Sequence, residues 1–172
     1  MNRCILFSLA SALMITGCAY RWTSSVPQRM RTVAVPVFEN DTNFAEFNAI
    51  ASQYVLREFQ REGTLTIKPA GSAVLEVQGK VKNISRTALD YDRNIGSRTS
   101  EYAIVADVEV SLIDKRNGKV LFNNRKYQCS TTFTVRDDLL TSQRNASERL
   151  AADLARQVVD DVLYFDYTAT DK

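Results

Sequence analysis

The stretch that decides the fold is residues 101–112, EYAIVADVEVSL, in which the side chains of every second residue form one apolar series. That series is Tyr102, Ile104, Ala106, Val108, Val110 and Leu112. Successive side chains of a strand point to opposite faces, so the alternation predicts a long strand with one buried face. Residues 75–82, LEVQGKVK, repeat the pattern with Leu75, Val77 and Val81 on one side. The two long strands are predicted to pair, with a loop at roughly 90–96 between them.

The chain beyond the second strand predicts a third strand and a closing helix. Asn117-Gly118, within residues 114–119, is a strong turn signal, and a strand is predicted from Val120 to about Val135. A helix is predicted from about Ser142 to Phe165, because its apolar residues recur at helical spacing. This stripe consists of Leu150, Ala151, Leu154, Ala155, Val158 and Val162. The three long strands therefore form a meander that a helix follows.

The chain before the first long strand predicts a strand, a helix and a second short strand. Residues 31–38 alternate in Val33, Val35 and Val37, and Pro36, which lacks an amide proton, indicates a strand at or near a sheet edge. A short strand at Leu65–Lys68 is predicted to return beside it, in a right-handed crossover.

Between these two strands a helix is predicted to run to about Glu62. Asn43 is positioned to cap it, Glu46 would complete a capping box, and Gly63 is predicted to adopt a left-handed C-terminal cap. Both helices have one apolar face, so they are predicted to pack on one face of the sheet. The fold class is α+β, a two-layer sandwich with a mostly antiparallel sheet in the order β-α-β-β-β-β-α.

The first residues predict export. After Asn2-Arg3, an apolar run from Cys4 to Ile15 is too short to span a bilayer but suits the h-region of a signal peptide, here residues 1–17. Gly17 directly before Cys18 resembles the lipobox of bacterial lipoproteins, which implies that Cys18 receives a diacylglyceryl group. The alternatives are an ordinary secretory signal with an incidental cysteine, or a buried helix. Residues 18–30 are interpreted as the lipidated cysteine and a spacer, and 31–172 as a single periplasmic domain.

Composition narrows the chemistry. The chain has no histidine, which excludes Ser-His-Asp and Cys-His catalysis and argues against zinc. Of three cysteines only Cys129 is expected in the folded domain, as a small buried side chain and not a nucleophile. The net charge of +2 does not indicate nucleic-acid binding, and the scattered glycines form no phosphate-binding loop. No cofactor and no metal are predicted.

The order of these features resembles one family. A lipobox, then RTVAVPVFEN at 31–40, an amphipathic helix, a long hairpin with YDRN at 91–94 before Ser100, and a closing helix resemble the lipopolysaccharide-assembly lipoproteins, the LptE family. The resemblance covers essentially the whole chain. It implies a nonenzymatic lipoprotein at the inner leaflet of the outer membrane, facing the periplasm, that plugs a large β-barrel partner, LptD, and binds lipopolysaccharide. Ala19 after the lipidated cysteine, in place of Asp, fits outer-membrane sorting in such lipoproteins.

The resemblance also implies basic residues in two loops as contacts for lipopolysaccharide. By position within residues 91–94 and 134–137, the candidates are Arg93 and Arg136; Arg86 and Arg98 flank the first loop. Guanidinium groups pair well with phosphate oxygens, which lipid A carries. The alternative is that these arginines are solvated loop charges, and neighbouring acidic residues offset part of their attraction. These are Asp90, Asp92, Asp137 and Asp138.

Two other functions remain open on the sequence. VAVPVFEN at 33–40 also looks like the first strand of lipoproteins that activate cell-wall synthases or build secretion pores. An enzyme that uses Asp90 with Asp92, or Asp137 with Asp138, as an acid and base is a further reading. Neighbours on a strand point to opposite faces, and charged loop pairs are usually solvated, so the chain is predicted not to be an enzyme.

Overall fold

The computed structural model describes residues 25–92, 98–135 and 138–170. Within these ranges the chain forms two α-helices and one six-stranded sheet. The helices are α1 (Phe47–Glu62) and α2 (Leu139–Leu163), and the strands are β1 (Thr32–Ala34), β2 (Glu39–Asn40), β3 (Thr66–Ile67), β4 (Leu75–Asp92), β5 (Arg98–Asp114) and β6 (Lys119–Thr134). The strand order is β3-β1-β4-β5-β6, and β2 also pairs with β4. The predicted α+β class is confirmed.

The three long strands form the predicted antiparallel meander. β4 pairs with β5 along its whole length, from Leu75 to Asp92, and β6 pairs with the other side of β5. The turn between β5 and β6 is also as predicted, because Gly118 has a positive φ of 69°, which a residue without Cβ adopts at little cost.

β4 is longer than the apolar pattern predicts, because an extra residue interrupts its alternation. Val81 pairs with Val108 and Asn83 with Asp107, which leaves Lys82 as the additional residue of a β-bulge. The pattern over 75–82 ends at this bulge, while the strand continues to Asp92. Residues 90–92 of the predicted loop therefore belong to β4, and its residues 93–96 lie outside the described residues.

The first predicted strand, residues 31–38, is split into β1 and β2. Both short strands run parallel to β4, and the residues between them, which include Pro36, leave the sheet. Proline cannot donate a ladder hydrogen bond, which accounts for the break at this position. β3 pairs in parallel with β1, so the predicted return of a short strand beside the first is confirmed.

α1 begins later than predicted, and the predicted capping box is wrong. The residue before the helix is Glu46, in a left-handed conformation with φ of 71°, and its side chain makes no capping hydrogen bond. The loop before it is instead closed by Asn40 and Thr42: Asn40 Oδ1 accepts from the Thr42 amide at 2.9 Å, and Thr42 Oγ1 accepts from the Phe44 amide at 3.1 Å. At the other end Gly63 has a φ of 78° and donates to Phe59 O, as predicted.

α2 begins at Leu139, earlier than the predicted Ser142, because Asp138 caps it. The Asp138 carboxylate accepts hydrogen bonds from the Leu140 and Thr141 amides at 3.3 and 2.7 Å. Hydrogen bonds from Thr141 and Leu140 lower the pKa of Asp138 below its ordinary value. This side chain therefore serves the helix, since its charge satisfies amides that have no partner within it.

The core lies between the helices and one face of the sheet. Its side chains include Val33, Val55, Leu75, Val77, Leu112, Leu150, Leu154 and Val158, each at most 1 % exposed. Cys129 is also buried, as predicted, and burial raises the pKa of its thiol to about 11. Among the described residues, no helix is both long enough and apolar enough to cross a membrane.

Candidate functional site

Different secondary-structure elements meet at the two ends of the molecule. At one end, here called the hairpin end, β4 meets the start of β5, Thr134 of β6 pairs with Glu101, and α2 begins. At the other, here called the entry end, the Ser25 amide donates to Leu163 O at 3.1 Å, and the Ser25 hydroxyl donates to Phe165 O at 2.6 Å. α2 has 25 residues, and at 1.5 Å per residue it separates the two ends by about 37 Å.

The four candidate arginines all belong to the hairpin end in sequence, but only some lie among the described residues. Arg93 and Arg136 fall outside them, as does Cys18. Arg98 is the first residue of β5 and pairs with Asp92. Arg86 lies within β4 and pairs with Ile104, so it is a strand residue on the helix-covered side of the sheet.

Arg86 is held by two contacts. Its Nη1 donates to Gln143 Oε1 of α2 at 2.6 Å, and its Cζ lies 5.3 Å from the centre of the Tyr102 ring. Tyr102 in turn stacks on Phe133, with ring centres 5.5 Å apart. The guanidinium is exposed to solvent, yet it is oriented by a hydrogen bond and a cation–π contact. Arg86 is therefore a positioned cation and not a freely moving loop charge.

Beside Arg86 lies a cavity of about 690 Å³ between the beginnings of the two helices, here called the interhelical cleft. α1 and the loop before it form one wall, and the first turns of α2 form the other. The apolar part of the lining comprises Phe44, Phe47, Ile50 and Leu140. Its size falls within the range of small-molecule sites, and it joins apolar walls to a few charged groups.

Among the described residues, the charged groups that line the cleft are two arginines and one carboxylate. Arg86 and Arg144 line it together with Glu46. Arg144 is exposed, and its guanidinium has no hydrogen bond or ion pair with another residue of the described ranges. The start of α1, which also lines the cleft, has no side-chain cap, and its backbone amides add positive potential there. The arrangement favours an anion beside an apolar surface.

The acidic residues considered as catalytic pairs are only partly within the described residues. Asp90 and Asp92 lie in β4, Asp137 falls outside the described residues, and Asp138 is used as the cap of α2. Over the described ranges, the structure also brings together no group of three or more His, Cys, Asp or Glu side chains that could hold a metal ion.

Other polar groups that the sequence pattern did not single out hold the fold together. Tyr127 of β6 donates its hydroxyl to Asp161 Oδ2 at 2.7 Å, and Arg125 pairs with the same oxygen at 2.9 Å. Burial raises the pKa of Tyr127, and the bond to Asp161 raises it further. These contacts join β6 to α2 away from the cleft. No pattern in the sequence marks them, because the partners lie on elements far apart in the chain.

The family of this chain follows from a comparison with known protein families. The family model described as LptE, lipopolysaccharide-assembly, matches residues 30–163, which include both α-helices and all six strands of the described fold. The chain belongs to the LptE family. The LptE family is a nonenzymatic component of lipopolysaccharide transport, in accord with the predicted lack of catalytic activity.

Solved structures share the fold of this LptE family member at low identity. A protein from Xanthomonas campestris is 11 % identical with a TM-score of 0.60, over 88 % of this chain and 93 % of that one. Lipoprotein B from Nitrosomonas europaea is 14 % identical with a TM-score of 0.54, over 87 % and 92 %. Rare lipoprotein B from Shewanella oneidensis is 13 % identical with a TM-score of 0.51, over 81 % and 98 %. No curated protein sequence matches the chain.

Proposed function

We propose that this chain is an outer-membrane lipoprotein that assists the assembly of lipopolysaccharide at the cell surface, by binding lipopolysaccharide and by plugging and stabilising an LptD-like β-barrel. The observation that carries the proposal is the LptE family match over residues 30–163. The proposal also takes up the sequence prediction of a signal peptide at 1–17, a lipid on Cys18 and a periplasm-facing domain from residue 31.

The entry end supports attachment by a lipid. Six residues, 19–24, separate Cys18 from Ser25, and the seven Cα–Cα steps between the two would reach about 25 Å in a fully extended chain. Because Ser25 is hydrogen-bonded to the end of α2, the entry end of the domain would be held within that distance of the membrane surface. Several acyl chains would anchor it durably, whereas one chain binds only marginally.

The length of the meander supports the proposal that the domain plugs a barrel. β4 has 18 residues, and at about 3.3 Å per residue it extends close to 60 Å away from the entry end. The hydrocarbon core of a bilayer is about 30 Å thick, so a domain held at one leaflet is long enough to cross that depth inside a barrel. The hairpin end would then lie far from the lipid anchor.

The outer face of the sheet is compatible with the polar lumen of a large barrel. It carries cross-strand polar partners: Lys80 lies opposite Glu109, and Gln128 Nε2 donates to Asp107 Oδ1 at 2.7 Å. The lumen of a transmembrane barrel is itself polar, so these charged and polar side chains match it.

Photocrosslinking in cells tests the barrel partner. A photoreactive residue at position 94, in the hairpin, is expected to capture a large outer-membrane barrel, and the same residue at position 71, in the loop before β4, serves as the matched site near the other end of β4. Capture of a cell-wall synthase or a secretion component from position 94, with no barrel, would contradict the proposal and favour the alternative lipoprotein functions.

Binding of lipopolysaccharide is tested with charge reversal at the hairpin end. The full-length lipoprotein with Arg93→Glu and Arg136→Glu is expected to bind lipopolysaccharide more weakly than the wild type, and the difference is expected to shrink at higher salt. Arg98→Glu provides a third position among the candidate arginines. Unchanged affinity at both salt concentrations would remove these residues from the site.

The anchor is tested by metabolic labelling with a fatty-acid probe. The wild-type chain is expected to take up label and Cys18→Ser to take up none. An unlabelled wild type would exclude the lipid on Cys18.

A further inference from the structure

The interhelical cleft has a lining that suits one class of ligand. Leu140, in the first turn of α2, is 73 % exposed, and it stands beside the half-buried Phe44 and Ile50. An exposed leucine costs little by itself, but here it continues an apolar wall into the cavity. Apolar side chains and charged side chains therefore line the same cavity.

Two cationic side chains line the same cavity. Arg86 uses one of its five N–H donors on Gln143, and the side chains of Arg86 and Arg144 approach the cleft from different elements, β4 and α2. Two guanidinium groups with donors still available match the oxygens of a phosphate group. Apolar surface and two cations within one cavity of about 690 Å³ favour a ligand with both kinds of group.

Of the described residues that line the cleft, Glu46 alone is acidic, and its charge predicts how a neutral substitution would change anion binding. Its carboxylate repels an anion, while the uncapped amides at the start of α1 attract one. Removing the Glu46 charge should therefore strengthen anion binding, whereas removing either arginine should weaken it. A cleft that is only a gap between helices would show neither change.

We infer that the interhelical cleft binds a phosphate-bearing amphiphile, with the phosphate between Arg86 and Arg144 and an acyl chain along Leu140, Phe44 and Ile50. The assignment rests on the proposed function, since it adds a lipid-phosphate site in the described domain to the charge cluster of the hairpin end. The chemistry is shared by two sources, a phosphorylated glycolipid such as lipid A and an ordinary anionic phospholipid.

The test is titration calorimetry of the full-length lipoprotein in a nonionic detergent. The probes are dihexanoyl phosphatidic acid, dihexanoyl phosphatidylcholine, lipid A and inorganic phosphate. Phosphatidic acid is expected to bind, and Arg86→Gln or Arg144→Gln to weaken it by about tenfold each, since a charged hydrogen bond is lost. Glu46→Gln is expected to tighten binding a few-fold. Tighter binding of lipid A than of phosphatidic acid identifies the glycolipid as the source, and the reverse identifies a phospholipid.

Matched controls separate the cleft from general charge and from misfolding. Arg156→Gln makes the same charge change on α2, twelve residues and about 18 Å further along the helix, and is expected to leave the affinity unchanged. Leu140→Ser alters a residue that is already mostly exposed. This substitution is expected to weaken the binding of phosphatidic acid without affecting the melting temperature.

Three outcomes would overturn the assignment. They are no binding of either phosphorylated lipid to the wild type, equal binding to the wild type and to a variant that combines Arg86→Gln with Arg144→Gln, and equal affinity for inorganic phosphate and phosphatidic acid. None of these touches capture of a barrel from position 94, so failure of the cleft and failure of the proposed function are distinguishable.

Discussion

Gly79→Ala is predicted to destabilise the domain strongly, because Phe38 occupies the space that a Cβ would need. An ideal Cβ at residue 79 would lie 2.4 to 2.5 Å from three atoms of the Phe38 ring. Carbon atoms pack best about 3.5–4.0 Å apart, so the ring or the strand would have to move by about 1 Å.

Phe38 cannot yield that distance easily. Its side chain is only 2 % exposed, and its backbone is fixed to α1 on both sides: the Phe38 amide donates to Ser52 Oγ at 2.8 Å, and Asn48 Nδ2 donates to Phe38 O at 2.9 Å. Overpacking a core costs about 1–3 kcal/mol, and expelling the ring forfeits a comparable burial energy of about 1.5–3 kcal/mol. Replacing glycine within a strand returns about 0.5–1 kcal/mol, so the net loss is expected to be about 2 kcal/mol.

Urea unfolding followed by circular dichroism measures this loss. With a slope of about 1–3 kcal/mol per molar urea, the midpoint is expected to fall by about 1 M. Gly71→Ala is the matched control, because a Cβ at residue 71 meets nothing within 4 Å, and it is expected to change stability by less than about 0.5 kcal/mol. In a Phe38→Leu background the cost of Gly79→Ala should shrink, since the two residues are in contact. Equal stability of Gly79→Ala and Gly71→Ala would refute the close packing of Phe38 on β4.

Three further outcomes follow from individual contacts. Tyr127→Phe removes the 2.7 Å bond to Asp161 and is expected to cost about 1 kcal/mol in urea unfolding, while Tyr54→Phe, whose bond to Glu148 is 3.4 Å long, should cost less; equal costs would contradict the assigned bond. Arg116 lowers the pKa of Asp114 through its hydrogen bond. Asp114→Asn is therefore expected to be less stable than the wild type by its full amount above about pH 4, and this difference should shrink as the pH falls through the lowered pKa. An equal difference in stability at pH 6 and at pH 3 would disprove the effect. Cys129, buried and with its pKa raised to about 11, should resist alkylation at pH 8 until urea unfolds the chain; rapid labelling of the native protein would show that it is accessible.

The sequence predicts the parts of this fold that depend on periodic patterns or on glycine. The alternation at 101–112 predicts β5, and the positive φ values of Gly63 and Gly118 lie where a helix end and a turn are expected. These features are local, because each residue needs only its neighbours along the chain to impose its conformation.

The wrong predictions concern side chains that bind a partner elsewhere in the chain, or that belong to a different element from the one predicted. Asn43 and Glu46 match a capping box, but Asn40 and Thr42 already close the loop before α1, and the helix begins at Phe47. The sequence places Asp138 in a loop, whereas in the structure it is the residue directly before α2 and caps that helix. Local motifs of this kind compete, and the sequence alone does not say which one forms.

The interhelical cleft is the clearest case of a feature that no local pattern predicts. Its lining comes from β4, from α1 with the loop before it, and from α2, which lie far apart in the chain. Arg86 was a candidate because of its position beside the hairpin, but nothing in the sequence relates it to Arg144 or Leu140. That relation exists only once both helices begin at the same end of the sheet.

The bulge in β4 is what brings Arg86 to the cleft. Before the bulge the odd-numbered residues of β4 face the helices, as the full burial of Val77 and Val81 shows. After Lys82 the even-numbered residues do so, since Arg86 pairs with the buried Ile104. Side chains alternate with a period of two, so without the extra residue Ser85 would face α2 and Arg86 would point away from it. The interruption that shortened the predicted strand is thus the same feature that puts a cation between the two helices.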